Sequence, residues 1–155
     1  MRNSHISLRD FFCTKALLVS ITIVLLCYAN RSYADEFMVI TFNNQLETLR
    51  THQVKMLYRG RLSHINGTPT RLMDLPKTSH YRDDFYRTLL NKSPSQMSAI
   101  WAKQSFSGKA LAPFEIENES EKAIIHWLKH NKNGVAYVPS HLVPEDAYVI
   151  YHIQE

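Results

Sequence analysis

The residues best suited to chemistry in this chain are Lys77-Thr78-Ser79-His80, with Arg82 just beyond them. Thr78-Ser79 stand at the start of a stretch through Leu90 whose apolar residues Tyr81, Phe85 and Leu89 recur at helical spacing, so Ser79 is placed to cap a helix. A helix N-terminus presents free backbone N–H groups and a partial positive charge, a combination that attracts phosphate or sulfate. Lys77 and Arg82 are the cations nearest that point. Lys77, Thr78, Ser79, His80 and Arg82 therefore form the candidate anion site. The plainer alternative is that Ser79 caps its helix and binds nothing.

Other groupings carry less. Arg59, Arg61 and Arg71 could supply a further cation, but such residues commonly lie on a solvated turn or strand end. Asn43 and Asn44 follow the first strand, where ligands gather in α/β sheets. His126 and His130 are four apart on one helix and could share a metal, but no Glu follows His126, and Lys122 and Lys129 would repel a cation. Asp83-Asp84 and Glu117, Glu119 and Glu121 lie near helix starts, where acids complement the dipole. Ser105 and Ser107 lack the G-x-S-x-G frame of a nucleophile elbow. No enzyme pattern and no cofactor motif stands out, so the chain is expected to be a non-enzyme without a cofactor.

The first 34 residues have the character of a secretory leader. Arg2, Arg9 and Lys15 precede an apolar run, residues 16–29, and Ser32-Tyr33-Ala34 is a small-x-small cleavage site before Asp35. The expectation is export to the periplasm as residues 35–155. A membrane anchor through residues 16–29 is the alternative, although that run is shorter than the ~20 residues a span needs. A lipoprotein at Cys27 is a third reading, weakened by the bulky Leu26 before it. The leader takes Arg2, Arg9, Lys15, Arg31 and Asp10 with it, which leaves 14 basic and 13 acidic residues of the original 18 and 14. The basic balance of the whole chain thus belongs largely to the leader, and a nucleic-acid footprint is not expected. Both cysteines, Cys13 and Cys27, lie in the leader, so the mature chain is expected to hold no disulfide and no cysteine metal site.

The elements that must position the candidate site alternate between strand and helix. Phe37 to Phe42 reads as a buried strand. Thr51 is a plausible N-cap for a helix through Arg59, with Gly60 beyond its end. Asn66-Gly67 signals a tight turn. Thr70 to Asp74 is the next strand, then the helix opened by Ser79, then a helix opened by Ser93-Pro94 and closed by Gly108. Pro113 to Ile116 is extended. Asn118 and Glu121 resemble a capping box for a helix burying Ile124, Trp127 and Leu128. Val135 to Val138 and Ala147 to Ile153 are the last strands. The pattern predicts one α/β domain.

Leu57-Tyr58-Arg59-Gly60-Arg61, the loop before Phe85 and Gly134-Val135-Ala136-Tyr137-Val138 resemble the periplasmic phosphate-binding proteins of ABC phosphate importers. That family has an (I/F)-(Y/F)-x-G-(K/R) segment before a strand, a Ser-Gly-Thr phosphate loop at a helix N-terminus, and a G-x-(I/A)-(G/A)-Y-V strand. The resemblance spans Phe37 to Ile153 and implies a single-lobe, periplasmic-binding-protein-like α/β sandwich, with a mixed sheet of about five strands flanked by helices. With the family loop aligned on Phe85, Ser79 matches its middle Ser. His80 stands in place of the second Gly, Tyr81 in place of the Thr, and Leu75 in place of the Arg. The resemblance implies an exported solute-binding-like protein that takes a small phosphate-like oxyanion weakly, with a membrane permease or sensor protein as partner. The alternative is a periplasmic interaction or accessory module that keeps the fold and has lost its ligand.

Overall fold

The computed structural model describes residues Glu36–Ile153; the expectations for the leader lie outside them. The described chain falls within one compact unit, Asp35–Glu155.

β-Branched and aromatic residues put Phe37–Thr41 into strand β1. Helix α1, Thr51–Tyr58, buries Val54, Leu57 and Tyr58. Its N-cap is Arg50, one residue before the Thr51 expected there. Gln53 Oε1 accepts the Arg50 N–H at 2.8 Å, while the Thr51 hydroxyl meets Tyr151 at 3.0 Å. The Asn66-Gly67 turn has φ of 49° and 79° and joins the short strands β2, His64–Ile65, and β3, Thr68–Pro69. Positive φ at both central positions is the reason an Asn-Gly pair serves this hairpin.

Strand β4, Arg71–Asp74, leads through Leu75–Ser79 into helix α2, His80–Leu90. Helix α3, Pro94–Phe106, opens on Ser93, whose Oγ accepts the Gln96 N–H. Strand β5 is only Phe114–Glu115. Helix α4, Glu121–His130, is capped by Ser120 rather than Asn118; Ser120 Oγ accepts the Ala123 N–H, and Asn118 Oδ1 in turn accepts from Ser120. Strands β6, Gly134–Pro139, and β7, Tyr148–Ile153, complete the chain.

The sheet is mixed and five-stranded, as expected, in the order β5-β4-β6-β1-β7. β1 lies antiparallel between β6 and β7, whereas β4 runs parallel to both β6 and β5. Every residue of the central strand β6 is buried, as a strand covered on both faces requires. The parallel register sets Leu72 opposite Val135, Met73 opposite Phe114 and Asp74 opposite Glu115. An aromatic cluster fills the core beside these strands. Phe85 and Tyr137 stack with centroids 3.5 Å apart, and Tyr58 meets both edge-on. Among the described residues, no helix is long and apolar enough to cross a membrane.

Candidate functional site

β4 ends where α2 begins, and the polar residues of the site gather at that junction. Asp74 is the last residue of β4 and is buried. A buried carboxylate needs compensation on both oxygens. The Tyr86 hydroxyl donates to Oδ2 at 2.7 Å, and the Tyr137 hydroxyl donates a short bond to Oδ1. Arg82 Nη2 also sits 2.9 Å from Oδ2. The network closes on the loop itself, because the Leu75 N–H donates to Tyr137 Oη at 3.3 Å and Arg82 Nη1 donates to the Leu75 carbonyl at 3.1 Å. Burial pushes the Asp74 carboxyl above its ordinary value, against the opposing pull of Arg82 and the two tyrosines. Burial also holds Tyr86 and Tyr137 well above the usual phenol value, reinforced by the Asp74 charge. For Arg82, burial works against the cation, but Asp74 together with Tyr86, Tyr137 and Glu115 outweighs it and holds the guanidinium above its ordinary value.

The second half of the site lies on the edge of the sheet. β5 pairs with β4 so that Glu115 comes level with Asp74. Its carboxylate turns over the start of the loop. Oε1 accepts the Lys77 N–H at 3.0 Å; Oε2 lies 3.6 Å from Lys77 Nζ and 3.4 Å from Arg82 Nη1. Slight burial would raise the Glu115 carboxyl, but the Lys77 N–H and the two cations together hold it below its ordinary value. One backbone N–H and two cationic groups thus converge on an oxyanion supplied by the protein.

The five expected site residues occupy unlike positions. Lys77 is exposed and bound to Glu115 through both backbone and side chain. Thr78 and His80 are exposed, and the His80 ring lies 3.9 Å from that of Tyr81. Ser79 holds the N-cap position of α2 but does not cap with its side chain. Its N–H donates to the Pro76 carbonyl at 2.9 Å, and its Oγ is buried without a hydrogen-bond partner. Arg82 reaches back to β4 and bridges Asp74 and Glu115. The sequence reading missed Asp74, Glu115, Tyr86 and Tyr137. The tyrosines looked like plain core because each buries its ring and uses only its hydroxyl at the site. The His126 and His130 rings lie 4.3 Å apart, tilted by 41°, with His130 Nδ1 2.8 Å from the His126 carbonyl. Among the described residues no group of three His, Cys, Asp or Glu could hold a metal.

No family model and no curated protein matches the chain. Solved structures do. A phosphate ABC transporter substrate-binding protein from Clostridium perfringens, solved with bound phosphate, superposes with a TM-score of 0.56 at 18% identity, over 75% of this chain and 44% of that one. An ABC-type phosphate transport receptor from Vibrio cholerae gives a TM-score of 0.52 at 15% identity, over 75% of this chain and 45% of that one. The chain therefore has the fold of phosphate ABC transporter substrate-binding proteins, and the match spans less than half the length of the relatives it resembles.

Proposed function

We propose that this chain is an exported, solute-binding-like protein whose Leu75–His80 loop takes a small phosphate-like oxyanion weakly, in exchange with Glu115. The carrying observation is the convergence of the Lys77 N–H, Lys77 Nζ and Arg82 Nη1 on the Glu115 carboxylate. A site that already holds one oxyanion by backbone and cationic donors has the chemistry to hold another. Glu115 can yield, because it is exposed and sits on a two-residue strand at the sheet edge. With Glu115 in place, Lys77 and Arg82 are balanced by Asp74 and Glu115. With Glu115 swung out, the loop gains a positive balance. The likeness to receptors of phosphate importers supports the reading, as does the leader-like sequence of residues 1–34. A permease or a membrane sensor is the partner class this implies, and the role is binding rather than catalysis.

Affinity should be low. Arg82 is committed to Asp74, and Leu75 offers no second cation. Isothermal titration of the mature chain with phosphate, sulfate and molybdate at low salt should give high-micromolar to millimolar binding, about −4 to −6 kcal/mol, that weakens as salt is added. Sub-micromolar phosphate binding would show a cation from outside this cluster. Heat-silent titrations, with phosphate leaving thermal stability unchanged, would leave the accessory-module reading, which the buried Asp74–Arg82 pair favours.

A further inference from the structure

We propose a second site at the opposite end of the parallel strands, in the groove where β4 and β6 begin, for a small amphiphile with an anionic head and an apolar body. The groove encloses about 670 Å³, within the range of small-molecule pockets. Its lining includes Leu57, Leu72 and Trp101, and Leu62 and Leu111 extend the apolar surface. Leu111 is 71% exposed with nothing over it among the described residues. Arg71, Lys109 and Lys132 also line the groove, and no Asp or Glu does. Among the described residues none of these three cations has an ion-pair partner. The Trp101 indole N–H is buried without an acceptor.

These features are separate from the α2 loop. Arg71 opens β4 opposite Gly134, whereas the loop follows Asp74 at the other end of the strand. Charge and apolar surface together select the ligand class. A bare inorganic anion leaves the apolar surface wet, and a neutral hydrocarbon leaves three like charges uncompensated. A chain carrying a carboxylate or a phosphate monoester answers both. Trp101 is a fixed wall for it, since a Cβ added at Gly60 would lie 2.6 Å from its Cζ3.

The test is a ¹H–¹⁵N NMR titration of the mature chain with decanoate, decyl phosphate, decanol and inorganic phosphate, below micelle-forming concentrations. The chain has two tryptophans, so the Trp101 indole signal reads the groove directly. The proposal expects a saturable shift of that signal with decanoate or decyl phosphate, and whichever binds identifies the head group. Decanol should bind at least about tenfold more weakly. Inorganic phosphate should leave the indole signal in place, whatever it does to the amides of Lys77–His80. The exposed pair Arg71→Ala/Lys132→Ala, with its thermal transition unchanged, should lose about tenfold or more of the amphiphile affinity. Decanol binding as tightly as decanoate, full affinity in the double variant, or no saturable shift with either anionic chain would overturn it.

Discussion

Asp74 is the residue on which the site turns. It is buried, takes two tyrosine hydroxyls and pairs with Arg82. A buried pair of this kind is not by itself a large source of stability, but removing one partner strands the other charge away from water. Asp74→Ala should cost about 3–5 kcal/mol in urea unfolding, and Tyr86→Phe, which loses one bond to a charged acceptor, about 1.5–3 kcal/mol. An Asp74→Ala loss below about 1 kcal/mol would mean that Arg82 finds water or another acceptor. Ser79 gives the opposite expectation. Its Oγ is buried and accepts no bond from α2, so Ser79→Ala should stay within about 0.5 kcal/mol of the parent. A loss of about 1 kcal/mol or more would show a side-chain cap after all.

At the scale of elements, the sequence was most legible where local chemistry decides. The strand Phe37–Thr41, the Asn66-Gly67 turn, the Ser93-Pro94 helix start and the last two strands all follow from composition and from the turn or cap residues beside them. What escaped was set by pairing over long separations. Glu115 reaches the loop only because β5 docks beside β4 in a register that brings it level with Asp74, and nothing near Glu115 in sequence announces that. The same holds for Tyr137, which meets Asp74 across two adjacent strands. Caps slipped by a residue or two where a neighbour competed: Gln53 fixed Arg50 rather than Thr51, and Ser120 took the place of Asn118. Two glycines separate local from tertiary control. Gly60 has φ +66° and faces Trp101, whereas Gly67 has φ +79° and open space. Gly67→Ala should cost only the backbone term, about 1–2 kcal/mol. Gly60→Ala should cost that plus about 1–3 kcal/mol of overpacking. Equal losses at the two positions would show that the Trp101 ring moves aside freely.

Across the whole molecule, the fold is that of phosphate ABC transporter substrate-binding proteins, while in the loop before α2 the Lys77 N–H and the Lys77 and Arg82 cations meet the protein's own Glu115 carboxylate. The parallel β5-β4-β6 half of the sheet creates both ends that matter. Its carboxyl end carries the Asp74–Arg82–Glu115 cluster, and its amino end opens the cationic groove by Trp101. On the proposed reading, Glu115 occupies the place of the ligand. The test is to follow the Lys77–His80 amides in a phosphate titration of the parent chain and of Glu115→Gln. Saturable shifts are expected in both, with the variant binding about three- to tenfold more tightly, a gain of roughly 1 kcal/mol. Unmoved loop amides in both proteins, or a variant that binds phosphate no better than the parent, would contradict it.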